Sequence, residues 1–208
     1  MSLRVACGGM YRSGGTWQFN ACRLLMIAAS MKPTWGSSAF DDCGIIARNC
    51  CCVIKAHTWK DMYSKYDIIL TAHRDLRDVV ASCHRQFGDP MTLELADDAF
   101  SRYLPWTRHC RYDSHYERMI QDKPGEMRVL AEILGIGGLD FDAVLREVEG
   151  LSCSGNILDV RKHAPRNLLH PGHITDGRYG SWKGLMPEEV ANEITAKHWI
   201  WMRGKGYL

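Results

Sequence analysis

The stretch "CGGMYRSGGTWQFN", Cys7 to Asn20, constrains this chain more than any other. The apolar run "LRVACGGM" is short and ends in glycines, the pattern of a buried strand entering a turn. From Thr16 the segment "TWQFNACRLLMIAAS" places apolar residues at Trp17, Cys22, Leu24, Leu25 and Ala28 and reads as a helix. Strand, glycine loop and helix in that order form an anion nest from the successive backbone N–H groups of Ser13, Gly14, Gly15 and Thr16. Arg12 adds a cation and Thr16 a hydroxyl. Gly9 and Gly14 keep the spacing of G-x-x-x-x-G-K-[ST] with Thr16 in the last place, but Gly15 stands where the lysine belongs. The loop suits an anion and lacks the cation that reaches a nucleotide's terminal phosphates.

The same alternation continues. "NCCCVIKAH" and "YDIILTAHR" are further strands, followed by the helical stretches "TWKDMYSKY" and "DLRDVVASCHRQF". This order predicts an α/β fold: three layers, P-loop-like, with a central parallel sheet flanked by helices. The segment from Leu93 to about Arg118 reads as mostly helical. "PGEMRVLAEILG", opened by Pro124 and closed by Gly135, and "DFDAVLREVEG", capped by Asp140, are helices, as is the final "PEEVANEITAKHWIWM". Residues 151–181 are rich in Gly, His, Pro and Arg and read as a long loop, a length that usually carries function. At 208 residues the chain is expected to be a single domain.

A net charge of +2 with no basic stripe argues against nucleic acid as a partner. No run of about 18 apolar residues is present to span a membrane, and the N-terminus lacks a signal-peptide pattern, so the expected location is cytoplasmic. There are nine cysteines, none in a CxxC pair. Cys50, Cys51 and Cys52 alternate between the faces of a strand and cannot converge on one metal. Reduced, mostly buried thiols are expected, and no metal site.

Three blocks together resemble the cytosolic-type sulfotransferases. "YRSGGTW" is similar to that family's 5′-phosphosulfate loop, P-K-S-G-T-T-W. The resemblance implies that Arg12, Ser13, Gly14, Gly15 and Thr16 cradle a 5′-phosphate while Trp17 packs on adenine. "HRDLRDVVAS" resembles R-N-x-x-D-V-x-x-S, which implies a 3′-phosphate site at Arg74 and Ser82; a forked cation and a hydroxyl suit that group. "VIKAHTW" has the family's K-x-H spacing. Lys55 and His57, two apart on a strand, face one side. The family assignment makes His57 the general base, with Lys55 and Arg12 the cations that serve the transferred group.

Two looser echoes follow. "HYERMIQDKPGEMRVLAEILGI" implies Tyr116 beside adenine. "DGRYGSWKGLMPEEV" resembles the family's C-terminal R-K-G-x-x-G-x-W-K lid, with Gly177, Gly180, Trp182 and Lys183 matching. Thr175 and Asp176 replace the Arg-Lys pair, so the lid is expected either to aim Asp176 away from the phosphate or to recruit Arg178 or Arg166 instead. The chain is shorter than usual members, leaving an acceptor pocket that is open or completed by a second copy in a homodimer.

The function implied is in-line transfer of a sulfuryl group from 3′-phosphoadenosine 5′-phosphosulfate (PAPS) to a hydroxyl or amine of a small-molecule acceptor. The product nucleotide is 3′,5′-bisphosphoadenosine (PAP), and no metal is required. Two other readings are a small-molecule or nucleotide kinase with a degenerate loop, and a non-catalytic PAPS- or PAP-binding protein. Asp41 and Asp42 are the rival bases. Trp35, Trp59, Tyr103 and Trp106 are candidates for an aromatic acceptor pocket, with core packing the expected role of each.

Overall fold

The computed structural model describes residues 2–37, 51–153, 167–171 and 177–208. Five parallel strands lie in the order β2-β3-β1-β4-β5: β1 Arg4–Gly9, β2 Thr34–Ser37, β3 Cys52–Lys55, β4 Ile68–His73 and β5 Tyr112–His115. The expected parallel α/β fold is what forms. β1 is central, with Ala6 in register with Ile54 on one side and Ile69 on the other.

Strand alternation divides the core. Val5, Cys7, Val53, Ile68 and Leu70 point to one face, packed by the helices α1 (Gly15–Ala28), α5 (Lys123–Leu134) and α6 (Phe141–Glu149). Ala6, Ile54 and Ile69 point to the other, against Trp106 of α3 (Leu93–Thr107). Cys51 and Cys52 divide between these faces, as their adjacency demands. Beyond α3 a further apolar cluster joins α2 (Leu76–Phe87), α7 (Glu188–Lys197) and α8 (Trp199–Gly204).

Several local expectations need correction. The stretch 58–66 forms only a 3-10 turn, Asp61–Lys65. Leu93–Arg118 is helical to Thr107, then yields β5 and the short helix α4, Tyr116–Gln121. The final helix breaks at His198 into α7 and α8. β2 was not expected. Where it is described, the region 151–181 has no regular structure until Ser181, which opens a 3-10 turn, Ser181–Gly184. Asp41, Asp42, Arg166, Thr175 and Asp176 lie outside the described residues.

The order of the strands positions the site. The chain leaves β1 toward β2 and β3, then returns to place β4 on β1's other side. A crevice opens at such a switch point, at the carboxyl ends of the strands. β3, β1 and β4 are neighbours, so Lys55, the loop after Gly9 and Arg74 all emerge at one edge, strands about 4.8 Å apart.

Candidate active site

The loop between β1 and α1 turns on two left-handed glycines, Gly9 (φ 106°) and Gly14 (φ 85°). At Gly9 a Cβ would also lie 2.2 Å from Thr71 Oγ1, so the turn needs glycine for space as well as conformation. Ser13 is buried, its hydroxyl directed at the carbonyls of Met10 (2.6 Å) and Ala72 (3.1 Å). Ser13 can therefore serve an anion only through its backbone N–H. Four other helices, α2, α3, α5 and α6, are capped by the side chains of Asp75, Thr92, Asp122 and Asp140. α1 has no side-chain cap and no acidic residue in its first turn, so its leading N–H groups face the cavity.

That cavity, about 540 Å³, is lined by Arg12, Gly14, Gly15, Thr16, Trp17, Lys55, His57, Arg74, Ser82, Tyr116 and Gly177, all singled out from sequence. Arg178 is exposed and does not line it. Its carbonyl accepts from Arg74 at 2.6 Å.

Three buried or half-buried cations converge here. Arg12, in the left-handed region (φ 58°), donates from Nε to Ser82 Oγ at 2.9 Å. Arg74 donates to the Arg12 carbonyl at 3.2 Å and stacks on the Tyr116 ring at 4.1 Å. Ser82 is thus joined to Arg74 through Arg12 rather than directly. Arg74 Nε is buried with no partner among the described residues. Burial pushes the Arg12 guanidinium down, and Arg74 adds to this.

Lys55 is buried, and burial, then the charge of Arg12, lowers its pKa from 10.5 to about 8. Among the described residues its one hydrogen bond goes to His57 Nε2, at 3.3 Å. His57 Nδ1 lies 3.0 Å from the Gly9 carbonyl, which can only accept; the proton therefore sits on Nδ1 and the lone pair on Nε2. A Cβ on Gly15 would lie 3.9 Å from Lys55 Cε. The cation absent from the loop is supplied beside the same spot by β3.

Sequence reasoning missed part of the cavity's lining. Glu149, closing α6, accepts from Trp17 Nε1 at 2.8 Å and pairs with Lys123. Elsewhere Tyr11, Cys83, Phe87, Asp89, Leu95, Asp98, Arg102, His170, Met119 and Ile120 also line it. Tyr11 opens the loop motif but was not given a role; for most of the others no local motif marks the position, and the packing of α2, α3 and α6 around the crevice brings them in. Trp35, Trp59, Tyr103 and Trp106 stay out of the lining, as core packing predicted.

Asp78, 1% exposed, accepts from the backbone N–H groups of Gly180 (2.5 Å) and Trp182 (3.0 Å) and from the Ser181 hydroxyl (3.2 Å). It fixes the segment that follows Gly177 over Arg74. The carboxylates at the ends of β4 and β5 are already engaged. Asp75 holds Arg77 and caps α2, and Asp113 binds His73, Tyr103 and Lys205. Among the described residues no cluster of three or more His, Cys, Asp or Glu could hold a metal ion, and no helix is long and apolar enough to cross a membrane.

Neither a protein-family model nor a curated protein matches the sequence. Solved structures match the fold. A mouse sulfotransferase, SULT7A1, complexed with PAP superposes with a TM-score of 0.67 at 15% identity, over 99% of this chain and 86% of that one. Retinol dehydratase with retinol and PAP gives 0.56 at 16% identity, over 98% and 80%. Its complex with androsterone and PAP gives 0.58 at 16%, over 97% and 80%. The chain has the fold of the cytosolic-type sulfotransferases.

Proposed function

We propose that this chain, as a single domain, transfers a sulfuryl group from PAPS to a hydroxyl or amine of a small-molecule acceptor. One observation carries the reading: Lys55, a buried ammonium whose one hydrogen bond among the described residues goes to a neutral imidazole and which pairs with no carboxylate among them, lies against an uncapped helix start. A charge buried without a counter-ion is costly, and an anion in the cavity offsets that cost. Arg74, with its orphaned buried Nε, gives the cavity a second cationic point. Two such points in one cavity fit a nucleotide with phosphates at two positions. The α1 N-terminus and Arg12 would hold the 5′ group, Arg74 and Ser82 the 3′-phosphate, and Trp17 and Tyr116 the base.

When bound, PAPS supplies an activated sulfuryl group. The remaining work belongs to the chain's own residues. Gly9 keeps the His57 proton on Nδ1, so Nε2 is the nitrogen that accepts the proton of the attacking hydroxyl or amine. Lys55 holds that same nitrogen, so its turn toward an anion frees the base. Arg12 and Lys55 then face the negative charge that gathers on the leaving oxygen. Asp75 and Asp113 are committed to protein partners, which weighs against a kinase that would need a metal-holding carboxylate there. This reading places the chain in a reducing, cytoplasmic setting, and most of the described cysteines are buried thiols.

The test is transfer of radiolabel from [35S]PAPS to a panel of phenols, alcohols and amines, with wild type and His57→Ala. Transfer by the wild type that drops by roughly 100-fold in the variant is expected. Binding of PAP without transfer to any acceptor would favour the non-catalytic alternative.

A further inference from the structure

We infer that Trp106 of α3 is a positioning residue for His57, and that Arg102, one turn earlier, completes a brace on the same segment. The inference rests on His57 being the base. That residue lies just past the end of β3, and the last regular sheet contact is the Ala56 N–H to the Cys7 carbonyl at 3.0 Å. Beyond that point the ladder no longer fixes the backbone. Yet displacing a reacting group by about 1 Å can cost 100-fold in rate.

The fixing comes from α3. Trp106 Nε1 donates to the His57 carbonyl at 3.2 Å, and Arg102 donates to the Thr58 hydroxyl at 2.9 Å. Asp98 holds Arg102 at 2.8 Å. Residues 98, 102 and 106 recur every four positions and form one stripe down the helix, aimed at the base segment.

The indole has little freedom. Trp106 is fully buried, stacked on Tyr63 at 5.2 Å and met edge-on by Trp59 at 5.0 Å. A Cβ on Gly8 would fall 2.3 Å from its ring, so it rests directly on the β1 backbone. The next residue, Gly9, is the one whose carbonyl takes His57 Nδ1. His57 is therefore held by its ring on β1 and by its backbone through an indole wedged on that strand. A fully buried indole N–H needs an acceptor, whereas phenylalanine would fill the space without that demand. Tryptophan here places its single donor on His57.

The experiment compares Trp106→Phe, which removes the N–H and keeps most of the bulk, with Arg102→Met at a half-exposed position. Single-turnover transfer and PAP affinity are measured in each, alone and combined with His57→Ala. Trp106→Phe should slow transfer roughly 10-fold while the PAP dissociation constant stays within about twofold. Its effect should vanish in the His57→Ala background, where there is no base left to misplace. Long-range ¹H–¹⁵N spectra should show the His57 proton leaving its single Nδ1 position. A further loss in the His57→Ala background, or an equal loss of PAP binding, marks Trp106 as merely structural and overturns the brace. If Trp106→Phe does not fold, Arg102→Met decides by the same criteria, with a loss of roughly threefold expected. Full activity of His57→Ala sinks the base assignment and the brace together; an inactive His57→Ala with unaffected Trp106→Phe and Arg102→Met sinks the brace alone.

Discussion

Raising the pH from 7 to 9 should weaken PAP binding about 10-fold, through Lys55. In the free protein the ammonium titrates at about 8 rather than 10.5, burial being the main cause and Arg12 the second. That gap makes the charged form roughly 3 kcal/mol more costly than in water. Bound phosphate supplies the missing counter-charge and returns the titration toward its ordinary value. At pH 7 Lys55 is mostly charged in both states. At pH 9 the free protein must take up about one proton to bind, which gives the tenfold penalty. The nucleotide's own phosphates are already ionised above pH 7, with second ionisations near 6. Calorimetry at pH 8 in buffers of different ionisation enthalpy should report about half a proton taken up per PAP. The fold responds with the opposite sign: the unfolded chain binds the Lys55 proton more tightly between about 8 and 10.5, so free-protein stability contributed by this group rises across that window. Lys55→Met should therefore stabilise the free protein at pH 7, weaken PAP binding, and flatten its pH dependence. A PAP affinity equal at pH 7 and 9, with no proton uptake, refutes the reasoning.

Further outcomes are expected. Arg74→Ala should weaken PAP far more than adenosine 5′-phosphate, because only PAP carries a 3′-phosphate; equal losses by calorimetry would place Arg74 elsewhere. Asp78→Ala should lower stability by about 2–4 kcal/mol, since it leaves the part-buried N–H groups of Gly180 and Trp182 and the Ser181 hydroxyl without their acceptor; denaturant midpoints check this, and faster proteolysis within residues 177–182 should accompany it. Transfer should persist in EDTA, because Arg12, Lys55 and Arg74 supply the positive charge; abolition of turnover that magnesium restores would revive the kinase reading.

The positions of the glycine loop, Lys55, His57 and Arg74 were legible in the sequence because each ends or closely follows a strand, and short spacing fixes where a strand's end points. β5 was not legible for a physical reason. Its residues "YDSH" carry no apolar alternation: Tyr112 and Ser114 bond Glu126, Asp113 binds His73 and Lys205, and His115 pairs with Glu117. A polar network holds that edge strand in place of a hydrophobic face. Residues 58–66 contain helix formers yet adopt only a 3-10 turn, with Tyr63 packed under Trp106. Propensity yields there to one tertiary contact. Asp98 and Arg102 reach the segment after His57, through Thr58, only by the placement of α3, a non-local fact that no spacing encodes.

Lys55 and Gly15 also bear on how such a loop could change its chemistry. Restoring a lysine at position 15 looks like a one-residue route to a kinase-type loop. The new side chain would start 3.9 Å from Lys55 Cε, aimed at space that another ammonium already holds. A second ammonium in that cavity would repel the first, adding to the burial and the Arg12 charge that already lower the Lys55 pKa. Gly15→Lys is thus deleterious until Lys55 is gone, and loss of Lys55 first removes the cation on which the proposed anion site depends. Each order of the two steps crosses a defective intermediate, so the two positions are mutationally locked together.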